Sequence, residues 1–167
     1  MNQMNDIKIE KITLNMGVGE AGNSLKKAMK LLDSITGMKS VETKTKKRIP
    51  TWGVRPGLAI GCKVTIRKKT EEFLKRLLVA KEGLLKKSNF SEGTISFGIH
   101  EYIDIPGSQY HADIGILGLD VSVTLQRPGY RIKRRAYKKK NVGVRHLINQ
   151  EEAINFMKEK FNVRIEE

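Results

Sequence analysis

An α+β fold is predicted: a mostly antiparallel sheet with helices packed on one face and a long basic loop between strands two and three. Three observations carry this. The 167 residues are 39% hydrophobic, enough for the core of one compact domain and too short a chain for two large ones, so 1–167 reads as a single domain. Apolar residues alternate or recur at helical spacing in the order strand, helix, strand, strand, helix, strand, strand, helix. The third strand comes after the second through a Pro- and Gly-rich stretch with no crossover helix between them, and parallel neighbours would need one.

Ile7, Ile9, Ile12, Leu14 and Met16 form a largely alternating first strand that runs into Gly17-Val18-Gly19. With Asn23 or Ser24 as cap, Leu25, Ala28, Met29, Leu31, Leu32 and Ile35 mark a helix that stops at Thr36-Gly37. Val41 to Thr45 reads as a short strand, and Lys46 to Gly57, carrying Pro50, Gly53, Pro56 and Gly57, as a loop. Leu58, Ile60, Cys62, Val64 and Ile66 then alternate with Ala59, Gly61, Lys63, Thr65 and Arg67, which predicts one buried face and one small, polar, basic face open to a ligand.

Thr70 is read as the cap of a second helix, with Glu71 and Glu72 in its first turn. Phe73, Leu74, Leu77, Leu78 and Leu85 form its buried stripe, and Lys86 and Lys87 its end. Strands are expected at about 94–103 and 117–126. Asn149 with Glu152 suggests a capping box for a last helix that turns Ala153, Ile154, Phe156 and Met157 inward, after which Val163 and Ile165 suit a strand.

The charge is uneven. Lys and Arg number 32 against 18 Asp and Glu, a formal charge of +14. Segment 43–70 holds nine cations and no acid, and segment 121–150 holds nine more, again without an acid. The rest of the chain is net negative. A surface that was merely soluble would interleave its signs, whereas like-charge blocks suit a phosphate backbone, which gains by counterion release at every contact.

Other chemistry finds little support. Cys62 is the only cysteine, and His100, His111 and His146 lack metal-ligand spacing, so no metal is expected. No apolar run is long enough to span a bilayer and the N-terminus lacks a signal-peptide core, which leads to the expectation of a cytoplasmic protein with no membrane partner. Gly17, Gly19 and Gly22 formally spell the dinucleotide fingerprint, with Glu42 twenty residues beyond Gly22, so the rival function is a small nucleotide-dependent oxidoreductase. The missing crossover and the cations after Glu42 oppose it, and no cofactor is expected. The glycines then shape a turn, with backbone N–H groups available to a phosphate. His100, Glu101, His111 and Asp113 have no spacing that fixes an acid–base pair, and no enzyme is expected. Trp52, inside the basic loop, is either a core residue or a stacking platform for a base.

Several motifs in order are more specific than the glycine pattern. Lys8 to Glu20 (KIEKITLNMGVGE), Ile35-Thr36-Gly37, Ile60 to Arg67 (IGCKVTIR), Phe97 to Glu101 (FGIHE) and Gly118-Leu119-Asp120 resemble the 5S rRNA-binding family of large-subunit ribosomal proteins. Bacteria and archaea number that protein five, and eukaryotes eleven. Arg127-Pro128-Gly129-Tyr130 with its basic run is similar to the archaeal and eukaryotic branch. The resemblance covers nearly the whole chain. It implies a ribosomal protein of the central protuberance that binds 5S rRNA and large-subunit rRNA, near the small-subunit head and neighbouring ribosomal proteins. It implies RNA recognition by Asn15, Met16, Thr65 and Arg67. The cations assigned to RNA are Lys44, Lys46, Lys47, Arg48, Arg131, Lys133, Arg134 and Arg135. Met38 stands where family members often carry Gln. The basic loop resembles the one that reaches the P-site tRNA, with Thr51, Trp52, Arg55 and Pro56 near its tip.

Overall fold

The structure is a computed structural model that describes residues 3–166; Met1, Asn2 and Glu167 of the expected domain lie outside the described residues. Its elements in chain order are β1 (Lys8–Gly17), α1 (Asn23–Thr36), β2 (Val41–Lys44), β3 (Ala59–Ile66), α2 (Thr70–Val79), β4 (Leu84–Lys86), β5 (Phe90–Ser91), β6 (Thr94–Ile99), β7 (Leu119–Gln126), α3 (Arg131–Arg134), α4 (Gln150–Phe161) and β8 (Arg164–Glu166). Six strands form one mostly antiparallel sheet in the order β2-β3-β1-β7-β6-β5, and β4 pairs in parallel with β8. The class is α+β, as the strand and helix order implies.

The chain divides into two compact units, and β1, β6 and β7 each share their residues between them. One unit comprises 13–66 and 98–121. Here α1 lays Leu25, Ala28, Leu31, Leu32 and Ile35 inward and packs on β3, which contributes Cys62, Val64 and Ile66 to the core. Burying such a leucine or isoleucine contributes about 1.5–3 kcal/mol, so this stripe is what holds the helix in place. The helix ends where predicted: Gly37 takes φ 65°, and its N–H donates to the Asp33 carbonyl. Asp33 also accepts the Ser40 N–H at 2.6 Å, tying the turn to the start of β2. The helix start differs from expectation. Gly22 at φ 136° precedes the helix, Asn23 is already its first residue, and no side chain caps it.

The other unit comprises 3–12, 67–97 and 122–166. Leu74, Leu77 and Leu78 of α2 and Ala153, Phe156 and Met157 of α4 are buried within it. Glu152 Oε2 accepts the Asn149 N–H at 3.0 Å, half of the expected capping box. Helix α2 departs from its prediction at both ends. Lys69, in the left-handed region at φ 51°, precedes it, and Thr70 belongs to the helix and caps nothing. The helix closes at Val79, because Glu82 and Gly83 both take positive φ and turn the chain. Leu85 is buried, as expected of it, but from strand β4 paired with β8 and not from a helix. The expected strand at 94–103 stops at Ile99, and Tyr102–Asp104 forms a 3-10 turn.

Candidate nucleic-acid interface

Strand β3 presents the predicted outer face only in part. Lys63 is exposed and Thr65 half-buried, and Arg67, just beyond the strand, is exposed. Gly61 is closed off instead. A Cβ there would lie 2.7 Å from the Met16 carbonyl oxygen and 2.8 Å from Thr43 Oγ1, so a side chain is excluded by the two neighbouring strands. Asn15 is half-buried, and Met16, at 2% exposure, belongs to the core. Both line a cavity of about 370 Å³ together with Thr43, Trp52, Val54 and Gly61. The structure thus brings Trp52 of the loop together with Asn15 and Met16 of β1.

The loop between β2 and β3 is built and not slack. Thr45 N–H donates to the Leu58 carbonyl, Gly57 N–H to the Thr45 carbonyl, and Ile49 and Val54 exchange two backbone hydrogen bonds of 3.0 and 3.1 Å. Within that bridge Pro50–Trp52 makes one 3-10 turn, closed by Gly53 at φ 64°. Val54 is 3% exposed and anchors the loop, although the density of Pro, Gly and cations argues for none of it being buried. Lys44, Lys46, Lys47, Arg48, Thr51, Arg55 and Pro56 are exposed. Trp52 is 73% exposed, which removes the core reading of this side chain.

The second basic segment is fastened at its start. Arg127 is buried at 8% exposure; its Nη1 donates to the Leu147 carbonyl at 3.2 Å and its Nη2 to Glu152 Oε1 at 2.7 Å. Burial alone would raise the Glu152 pKa, but hydrogen bonds from the Asn149 N–H and the Arg127 guanidinium, with the Arg127 charge, hold it below the ordinary carboxylate value. Tyr130 donates its hydroxyl to the His146 carbonyl at 2.9 Å, and burial raises the phenol pKa. His146 Nε2 lies 2.8 Å from the Pro128 carbonyl oxygen, and its ring meets Tyr130 edge to face at 5.7 Å. Beyond this latch Arg131, Lys133, Arg134 and Arg135 are exposed. Arg134 nevertheless donates to Glu10 Oε1 at 2.6 Å and to Gln126 Oε1 at 2.8 Å. In sequence Arg127 looks like its cationic neighbours; the Glu152 three residues after a helix cap is the one sign of its structural partner.

Two amides of the glycine-rich turn are already in use within the sheet. Val18 N–H and Gly19 N–H both donate to the Ile60 carbonyl, at 2.9 and 3.0 Å. The strand after α1 pairs antiparallel with β3, which is foreign to a dinucleotide-binding sheet. Buried Cys62 has its thiol pKa pushed up to about 11, chiefly by desolvation and further by the Asp33 charge, so it is not a nucleophile. His100, Glu101, His111 and Asp113 are exposed. Among the described residues no group of three His, Cys, Asp or Glu is placed to hold a metal, and no helix is long and apolar enough to cross a membrane.

An α+β scaffold that holds two exposed cationic segments on hydrogen-bonded backbone defines a polyanion-binding protein. Comparison with known proteins narrows the class. Residues 2–55 match the family described as ribosomal protein L5, and residues 59–156 match the C-terminus of that same ribosomal family. The large ribosomal subunit protein uL5 of Sulfurisphaera tokodaii is 49% identical over 100% of this chain and 96% of its own length. That of Nanoarchaeum equitans is 49% identical over 97% of each, and that of Methanosphaera stadtmanae 45% identical over 99% of this chain and all of its own. The chain belongs to the ribosomal protein L5 family. It is a structural constituent of the ribosome, of archaeal type, and not an enzyme.

Proposed function

We propose that this large-subunit constituent binds 5S rRNA in the central protuberance, touches large-subunit rRNA, and reaches the P-site tRNA with the tip of its β2–β3 loop. The observation that carries the reading is how the cations are displayed. Lys44, Lys46, Lys47, Arg48, Arg55, Lys63 and Arg67 are all exposed, on two paired strands, the residue after them and a loop held by its own backbone hydrogen bonds. A fixed array of this kind meets phosphates with less ordering cost than a free basic tail. Half-buried Asn15 and Thr65 lie among these cations and suit hydrogen bonding to ribose hydroxyls.

A second kind of partner is supported by the stretch of chain beyond β4. From Ser88 to Gln126 there is no Lys or Arg, while Glu92, Glu101, Asp104, Asp113 and Asp120 are all exposed. Tyr110 and Ile116 are exposed in the same stretch, at 58% and 61%. Exposed acids with no cation near them in sequence disfavour RNA and fit a basic protein, in keeping with neighbouring ribosomal proteins and the small-subunit head.

Crosslinking in intact cells, followed by sequencing of the attached RNA, tests the function. Crosslinks from 43–70 to 5S rRNA are expected, together with competition by 5S rRNA well beyond that by duplex DNA or anionic vesicles. Equal competition by all three would reduce the protein to a non-specific polyanion binder.

A further inference from the structure

A second cavity is lined largely by cations. It measures about 290 Å³, lies in the unit that contains α4, and is lined by Lys8, Gln126, Arg127, Tyr130, Arg131 and Arg134 among others. Its charge is out of balance. Glu152 answers Arg127 and Glu10 answers Arg134. Lys8 and Arg131 are exposed, and neither forms an ion pair among the described residues. Two positive charges are therefore left over at one cavity.

A second observation points the same way. Arg127 uses both terminal nitrogens, yet its Nε is buried and has no hydrogen-bond acceptor. Buried donors are nearly always paired, so the unpaired Nε proton leaves part of the Arg127 charge unanswered at the cavity wall. The walls are also fixed in advance. Tyr130 is held by its hydroxyl, Arg134 by two side-chain acceptors, and Arg127 by two hydrogen bonds. A ligand entering here meets walls that are already ordered, and only Lys8 and Arg131 have to close on it.

We propose that this cavity is a phosphate-binding pocket in which Lys8 and Arg131 close on one phosphate group beside the buried Arg127 guanidinium. Arginine and lysine donors in charge-assisted hydrogen bonds are the usual means of holding a phosphate, and a diester, with one negative charge, leaves the pocket's surplus partly unspent for the next phosphate along a strand. The source of the phosphate is the rRNA backbone, a choice that rests on the function proposed above; free phosphate is the other source of the same chemistry.

The test uses the full chain and its Lys8→Ala/Arg131→Ala variant. Both side chains are exposed, so the fold should survive, and an unchanged amide spectrum outside the pocket checks that it does. Inorganic phosphate is titrated against sodium chloride at constant ionic strength while the amides of Gly129, Tyr130 and Arg131 and the arginine Nε–H signals are followed by NMR. Saturable shifts confined to the pocket, lost in the variant, are expected. In parallel, rRNA binding is measured over a range of salt. The variant should lose about one unit of the log–log slope and bind about tenfold more weakly near 0.1 M salt. Shifts with an unchanged slope establish the pocket with free phosphate as its ligand, and a reduced slope without shifts establishes it as a backbone contact. Neither shifts nor a change of slope overturns the pocket. Should the unaltered chain fail to bind rRNA at all, the proposed function falls, and the phosphate titration decides the pocket by itself.

Discussion

Gly61 is the residue at which sequence pattern and packing pull apart. By alternation it belongs to the outer face of β3, yet the Met16 carbonyl and Thr43 Oγ1 occupy the space a side chain would need. Backbone cannot swing away as the end of a long side chain can. Gly61→Ala is therefore expected to destabilise the protein by roughly 1–3 kcal/mol, the usual cost of overpacking, seen as a lower urea midpoint with an unchanged slope. A midpoint equal to that of the unaltered chain would show that β1 and β2 can separate without cost.

Glu152 sets a pH dependence through its pair with Arg127. Its folded pKa lies below its unfolded value, so the folded state binds fewer protons, and the stabilisation is fully present above the unfolded value. It is lost as pH falls through the carboxylate range into the folded pKa. Because the Glu152 side chain is 40% exposed, solvent screening holds the expected contribution to about 1 kcal/mol. Glu152→Gln should lower the Tm at neutral pH, and the two stability curves should converge in acid. Parallel curves at all pH values would show that the pair contributes nothing.

At the scale of elements, β3 and the loop before it carry the proposed recognition. Thr65→Val combined with Arg67→Ala removes a half-buried hydroxyl and an exposed cation while leaving Cys62, Val64 and Ile66 in the core. Specific 5S rRNA binding should weaken by about 1–3 kcal/mol with Tm nearly unchanged. A variant that unfolds while keeping its affinity per folded molecule would place Thr65 inward. For the loop, Trp52 is exposed and Val54 is the anchor, so Trp52→Ala with Arg55→Ala should spare both fold and 5S rRNA binding. Ribosomes carrying this variant at full occupancy should release P-site tRNA faster by the equivalent of about 1–2 kcal/mol, the size of one stacked base or one cation. Unchanged release from fully occupied ribosomes would separate the loop from the tRNA.

Elements were legible where their own residues decide them. Helix α1 needs only Leu25, Ala28, Leu31, Leu32 and Ile35 and the glycine after its end, and α4 only Asn149 and Glu152 before its apolar stripe. The end of α2 was hidden, because Leu85 fits the helical period equally well, and what stops the helix is a positive-φ turn at Glu82 and Gly83. Strand β4 is three residues long, and its partner β8 lies far along the chain, Leu84 pairing with Arg164, so the pairing leaves no local period to read. The binding surface shows the same division. Cationic blocks and the apolar alternation that buries Met16 are visible in sequence, whereas the burial of Arg127 and the meeting of Trp52 with Asn15 exist only once the chain has folded.

For the whole molecule the governing quantity is charge and where along the chain it falls. A net +14 on 167 residues opposes a compact state through self-repulsion, and the two acid-free segments concentrate that cost. Arg127 and, in part, Arg134 are neutralised internally; the remaining cations of those segments are left for a partner. Each phosphate neutralised releases condensed counterions, so log K should fall linearly with log salt, with a slope of about −0.7 to −0.9 per contact. About five contacts already give a slope steeper than about −3, and the exposed cations around β2, β3 and their loop alone can supply that many. Anisotropy titrations of labelled 5S rRNA across a range of KCl measure the slope directly. A slope near zero with tight binding would mean that stacking and ribose contacts, and not phosphate, hold the RNA. The exposed acids Glu101, Asp104, Asp113 and Asp120 make the complementary demand: changing them to Lys, with the buried strand residues left in place, should add RNA affinity and weaken binding of a basic polypeptide, and unchanged RNA affinity would show that these acids do not face the RNA.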